Sequence, residues 1–200
     1  MADPANRASA ANPAFHRRVL CDAERAHLTA GSDTALWAHW AAKETAYKAL
    51  KPTCPSLVFA HRLFVVSTTE TFATQSGRGE GVVDVDALSV SVCWEWTGDY
   101  VHCVTTLLPA AVYAVAPLDA LRREVAFSEL AAREALSDES VAVRVLALQL
   151  LAHSGIEGAS IERSTRKQRA MPPRILHPTK EIALSLSHDA RFAAAALRLP

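Results

Sequence analysis

The chain has 200 residues, half of them hydrophobic, with 21 basic and 21 acidic side chains that cancel to a formal net charge of zero. This is enough to bury a core in one domain or in two small fused halves. The balanced charge excludes a global field favouring nucleic acid or an anionic membrane, so any anionic ligand must be met by a local cluster.

The N-terminal MADPANRASAANPA has no apolar block of the secretory kind. No apolar run reaches the roughly 18 residues of a membrane span, so a cytoplasmic protein is expected. Cys21, Cys54, Cys93 and Cys103 contain no CxxC pair, which argues for reduced thiols rather than a zinc or thioredoxin site. Residues 1–11 read as an irregular lead-in. In FHRRVLCDAERAHL, Phe15, Val19 and Leu20 form an apolar edge, and Asp22 is placed to cap a helix carrying Glu24 and Leu28.

Next comes LWAHWAAKETAYKAL, rich in Ala, Leu, Lys and Glu and free of Gly and Pro; it predicts a helix from Leu36 to Leu50 between possible caps at Ser32 and Asp33 and the stop at Pro52. Helical spacing aligns Trp40, Glu44 and Lys48, with Lys43 and Tyr47 on the adjacent stripe. The simplest explanation of Glu44 and Lys48 is an exposed i,i+4 pair stabilising the helix by about 0.2–0.5 kcal/mol. The alternative is a carboxylate that holds a hard cation beside an ammonium facing phosphate oxygens on the same ion.

SLVFAHRLFVVS predicts a strand, Ser67 to Gly81 a connection, and residues 82–108 an antiparallel hairpin turning at TGD. His102, on its second strand, reads as structural rather than catalytic. The proline-bounded run at residues 109–118 marks a candidate boundary, after which LDALRREVAFSELAAREAL predicts one helix. Ser137 and Asp138 suggest the cap of a second helix, SVAVRVLALQLLAHSG, stopped at Gly155 and largely buried. Arg163, Arg166, Lys167, Arg169 and Arg174 then concentrate positive charge, with a solvated patch as the plain alternative. EIALSLSHDARFAAAAL predicts two strands joined by a tight turn around Ser187, His188 and Asp189, a histidine there being able to donate to a phosphate.

Trp40, Lys43, Glu44 and Lys48 spell W-x-x-K-E-x-x-x-K, which resembles the signature of the 4'-phosphopantetheinyl transferases. The Phe–Arg–Leu–Glu phrase before it, with Arg17 or Arg18 and Glu24, is similar to one that precedes the motif in that family. ALSLSHDARFAAAAL resembles the family's S-x-S-H-D phrase, Pro172 to Ile175 its G-K/R-P-x-I/L segment beside the adenine, and the helix carrying Arg144 one that supplies a coenzyme A contact. The lobes stand in the reverse of the order found in the surfactin-synthetase-activating type. The resemblance therefore implies an α+β, two-lobed, permuted pseudo-dimer: residues 12–108 on the metal and phosphate side, residues 119–199 on the coenzyme A side, acting as a monomer. No G-x-D phrase precedes Phe15, and Asp84 and Asp86 belong to the predicted hairpin, so the family's principal aspartate ligand has no counterpart among them.

The resemblance implies Mg2+-dependent transfer of 4'-phosphopantetheine from coenzyme A to a serine of an apo acyl or peptidyl carrier protein, releasing adenosine 3',5'-bisphosphate. Glu44 and Lys48 would be catalytic, with Glu44 also the metal ligand. Lys43, Arg144, Arg163, Arg166, Lys167, Pro173, Arg174, Ser187, His188 and Asp189 would bind the coenzyme. The rival expectations are a coenzyme-A-binding homologue with impaired catalysis and a module that only binds the carrier protein.

Overall fold

The computed structural model describes residues 11–28, 33–105, 111–133, 136–163, 165–166, 169–170, 173–189 and 191–199. It shows an α+β protein in which antiparallel sheets pack against helices, and it divides into two compact units, Met1–Leu107 and Leu108–Pro200.

The first unit opens with helix α1 (Pro13–Val19), whose Asn12 side chain accepts the Ala14 amide at 2.9 Å with proline in the first turn. Asparagine at the cap and proline just inside are a helix start that the sequence expectation passed over. Helix α2 (Asp22–His27) is capped by Cys21, with Asp22 inside its first turn rather than at the cap. Helix α3 (Asp33–Leu50) follows. Strands β1 (Val65–Thr68), β2 (Gly77–Val85), β3 (Leu88–Trp96) and β4 (Val101–Thr105) form one antiparallel sheet in the order β1-β2-β3-β4.

The face of α3 turned to this sheet is small: Ala35, Ala38, Ala41, Ala42 and Ala46 are all buried. A helix lined with alanine can lie close to a sheet, and two hydrogen bonds use that closeness. Trp94 Nε1 donates to the Ala38 carbonyl at 2.9 Å, and Thr45 Oγ1 donates to the Cys103 carbonyl at 3.0 Å. Helix direction and depth are thereby set by polar contacts inside an apolar interface.

Two expectations fail here for physical reasons. Of the run expected as a strand at residues 56–67, only the end enters β1; the rest is turn, with a 3-10 turn at His61–Leu63, because its aromatic residues fold back onto α3. Gly77 to Gly81, expected as connection, lies in β2. A Cβ on Gly77 would sit 2.5 Å from Trp96 Cζ2, and one on Gly81 would sit 2.6 Å from the Trp94 ring and 2.8 Å from the Ser67 carbonyl. The glycines are there because tryptophans lie flat across the strand.

In the second unit, β5 (Ala111–Pro117) runs into the short helix α4 (Leu118–Leu121), followed by α5 (Val125–Arg133) and α6 (Asp138–His153). One continuous helix was expected over α4 and α5. At about 100° per residue, the six positions from Leu121 to Phe127 would turn about 240° and point Phe127 away from Leu121. The break at residues 122–124 rephases the chain, and Leu118, Leu121, Phe127 and Leu130 all reach one core. Arg122 braces the corner through Asp119 at 3.1 Å and Asp138 at 3.2 Å.

Ser137 caps α6 as expected, and Gly155 ends it with φ +69°, a conformation suited to glycine. Beyond α6 come two small antiparallel pairs, β6 (Ser160–Glu162) with β9 (Arg174–Leu176) and β7 (Thr165–Arg166) with β8 (Arg169–Ala170). Strands β10 (Ala183–Asp189) and β11 (Phe192–Arg198) complete a sheet in the order β10-β11-β5, on which α6 packs.

His102 is buried on β4, and burial first of all pushes its pKa down to about 3. The folded protein therefore leaves this ring neutral where the unfolded chain, titrating near 6.5, binds a proton. Its contribution to stability is full above about pH 6.5 and is lost as the pH falls towards 3. We expect unfolding free energy measured by urea titration between pH 6 and 4 to fall less steeply in His102→Gln than in the parent, by up to about 1.4 kcal/mol per pH unit. Parallel slopes would contradict this.

Candidate functional site

The first unit holds a buried ion pair built from three helices and a strand. Lys43 Nζ lies 2.6 Å from Glu24 Oε2, and both side chains are sealed from solvent. The same ammonium donates to the Val19 carbonyl at 2.7 Å. Glu24 accepts two backbone amides besides, from Cys21 at 2.8 Å and from Val66 at 2.7 Å. The carboxylate thus ties α2 to β1, and the ammonium ties α3 to the end of α1. Burial pushes the Lys43 pKa down, opposed by the Glu24 charge beside it.

Lys43, expected to touch coenzyme A, has no exposed surface, and its hydrogen atoms are directed to Glu24 and Val19. Its work is to position α3. Glu24, placed in the sequence only as the counterpart of a family glutamate, turns out to be the partner; a contact between residues 43 and 24 is tertiary and has no local signature.

One residue further along α3, the chemistry changes side. Glu44 and Lys48 make an i,i+4 pair at 3.3 Å, with side chains 24% and 42% exposed. The two residues brought together by helical spacing are therefore both reachable from solvent. Tyr47 lies between them in sequence and stacks on Phe59 at 4.8 Å, and Lys51 Nζ donates to the carbonyls of Pro55 and Leu57 at 2.8 and 2.7 Å. These contacts fold residues 51–61 back along the helix beside the pair.

In the second unit Arg144, expected as a coenzyme A contact, is 3% exposed and donates from one terminal nitrogen to the Ser140 carbonyl at 2.6 Å. His188 is exposed on β10 opposite Ala193, with Ser187 and Asp189 half-buried beside it. The strand continues through Asp189, so the turn falls after this trio rather than around it.

The Glu139 carboxyl, in the first turn of α6, is held below the usual range by its own backbone amide, then by the Ser137 hydroxyl, with smaller pulls from His188 and Arg122. His188 thus shares its surroundings with the start of α6. Arg163 and Arg174 are exposed, Arg174 standing opposite Glu162 across the β6–β9 pair, and Pro173 is half-buried just before β9. Arg166 has a placed backbone in β7, its side chain and Lys167 lying outside the described residues. An open concavity of about 660 Å³ lies against Ser160, Ile175, Leu176, His177 and Lys180, where His177 Nδ1 accepts the amides of Thr179 and Lys180 at 3.2 and 3.1 Å.

Among the described residues no group of three or more His, Cys, Asp or Glu is arranged as a metal cluster. Glu44 is one accessible carboxylate beside an ammonium. A single carboxylate is the least that Mg2+, commonly held by one or two carboxylates together with substrate phosphates, would take here.

Breaking a buried pair leaves an uncompensated charge, so Lys43→Met should lower unfolding free energy by about 3–5 kcal/mol in urea denaturation, and adding Glu24→Gln should recover part of the loss. A loss below about 1 kcal/mol would show that the pair does not hold the helices.

A family model described as the 4'-phosphopantetheinyl transferase superfamily matches residues 1–105. No curated protein and no solved structure matches the chain. The matched span contains the Glu24–Lys43 pair, the Glu44–Lys48 pair and the four-stranded sheet beneath them, and it covers more than half of the 200 residues; the chain belongs to the 4'-phosphopantetheinyl transferase superfamily.

Proposed function

We propose that this chain transfers the 4'-phosphopantetheine group of coenzyme A to a serine hydroxyl of an apo acyl or peptidyl carrier protein, releasing adenosine 3',5'-bisphosphate. The observation that carries the reading is the division of labour on α3: Lys43 is buried against Glu24, whereas Glu44 and Lys48 form a solvent-accessible pair. A rigid helix presenting one carboxylate and one ammonium is suited to phosphoryl chemistry, where positioning and charge neutralisation do most of the catalytic work.

In this reading Glu44 would hold Mg2+. The ion, when bound, polarises the phosphoryl oxygens and offsets their charge. Lys48 donates to the phosphate oxygens, strengthening as negative charge moves onto the departing bisphosphate. The serine Oγ bonds to the β-phosphorus as its proton passes to the Glu44 carboxylate or to a water beside it, while the bond from that phosphorus to the bridging oxygen of the nucleotide half breaks and its electron pair leaves with adenosine 3',5'-bisphosphate. His188, Ser187, Asp189, Arg163, Arg166, Lys167, Pro173 and Arg174 are the proposed contacts of the coenzyme, with Arg163, Arg174 and His188 exposed.

Protein incubated with Mg2+, coenzyme A and an apo carrier protein should add the mass of the arm to the carrier, and Glu44→Gln should lower kcat/KM by about 100-fold or more. No mass gain with any apo carrier of fatty-acid, polyketide or peptide synthesis would overturn the reading. Heat of coenzyme A binding without mass gain would identify a coenzyme-binding homologue instead.

A further inference from the structure

A second lysine stands three residues beyond Lys48, and the structure shows what its charge is spent on. Lys51 follows the last residue of α3, and its amide still donates to the Tyr47 carbonyl at 2.9 Å. Its ammonium turns onto the chain that comes next, donating to the Pro55 carbonyl at 2.8 Å and to the Leu57 carbonyl at 2.7 Å. The same group stands 5.7 Å from the centre of the Tyr47 ring. Around it the backbone closes a compact turn. The amides of Thr53 and Cys54 both donate to the Leu50 carbonyl, at 3.0 and 2.8 Å, and the amide of Leu57 donates to the Cys54 carbonyl at 3.0 Å.

Tyr47 joins this turn to the candidate site. Besides the ammonium, its ring meets Phe59 in a stack at 4.8 Å and Phe64 edge-on at 6.3 Å. Glu44 lies three residues before Tyr47 and Lys48 one after it, so contacts that fix the tyrosine fix the helical turn on which that pair stands. Lysines near the end of a helix are drawn to the carbonyls left free there. Lys48 and Lys51, three residues apart, are neighbours on the surface, and Lys51 meets carbonyls beyond the helix end with two short bonds. Lys48 pairs with Glu44 at 3.3 Å and keeps 42% of its side chain exposed.

We propose that Lys51 is a positioning residue for the transfer reaction. By occupying the Pro55 and Leu57 carbonyls it clamps residues 52–57 and the Tyr47 ring against the end of α3, and it leaves the Lys48 ammonium for the phosphate oxygens. This assignment rests on the transferase activity proposed above and adds to it a residue that touches neither coenzyme nor carrier protein. The clamp needs a cation that donates, not merely a stem of the right length. Methionine keeps a stem against Tyr47 and cannot donate, whereas the fork of an arginine can serve two carbonyls and still lie on the ring.

The test is amide hydrogen exchange together with steady-state transfer to an apo carrier protein, on the full chain and its Lys51→Met and Lys51→Arg variants. Losing bonds from a charged donor shifts a local equilibrium by about ten-fold or more. In Lys51→Met the amides of Cys54 and Leu57 should exchange faster by about that factor, while those of β2 and β3 keep the parent's rate. Its kcat should fall about ten-fold with the KM for coenzyme A unchanged within about two-fold, and Lys51→Arg should stay within about three-fold of the parent in both measurements. Unchanged exchange in Lys51→Met overturns the clamp. Faster exchange with kcat within about three-fold of the parent leaves a turn that is only structural and overturns the positioning role. A loss in Lys51→Arg as large as that in Lys51→Met overturns the role of the donated bonds. A parent protein that transfers nothing overturns the transferase reading and this assignment with it.

Discussion

Everything that positions the candidate site depends on one buried ion pair. Lys43 and Glu24 lie nineteen residues apart on different helices, and together they satisfy a carbonyl at the end of α1, an amide at the cap of α2 and an amide entering β1. Removing two charges from water is expensive, and an isolated pair seldom repays the cost by attraction alone. Here the carboxylate accepts three donors and the ammonium serves two acceptors, so the pair is supported by hydrogen bonds beyond its own attraction. The return is specificity of place: α3 has one azimuth relative to the short helices in front of it, and Glu44 and Lys48 inherit that azimuth.

The alanine face of α3 supplies the second restraint. Because Ala35, Ala38, Ala42 and Ala46 add so little bulk, the indole of Trp94 can reach the backbone of the helix, and the same tryptophan needs Gly81 beneath it on β2. Small residues on one element and glycines on another are therefore two halves of a single packing solution. The face of α3 that carries Glu44 and Lys48 is supported from behind by a sheet that cannot shift without opening a tryptophan-sized cavity, and such cavities cost several kcal/mol.

How much of this was legible depends on whether the signal was local. The helix at Leu36–Leu50 and the cap at Ser137 were readable because composition, caps and stops lie within a few residues of one another. The pairing of Glu44 with Lys48 follows from helical spacing alone. Local pattern misled where long-range packing decided the outcome. Phe59 and Phe64 looked like strand residues until Tyr47 drew them onto the helix, Gly77 to Gly81 looked like a loop until the tryptophans covered them, and Lys43 looked like its functional neighbours until Glu24 claimed it. The helix at Pro13–Val19 was a different case, since asparagine followed by proline stated its start plainly. In the second unit the burial of Arg144, a basic residue in a family-like position, likewise carries no local signature.

The central distinction is between a lysine that holds the fold and one, five residues later, that is proposed to face the ligand. Lys48→Met, examined for unfolding free energy in urea and for transfer of the coenzyme A arm to an apo carrier protein on the same preparation, separates them most directly. The expected result is stability within about 0.5 kcal/mol of the parent, as for an exposed pair, together with a loss of transfer of about 100-fold or more. Normal transfer, or destabilisation as large as that of a broken buried pair, would contradict the division of roles along α3.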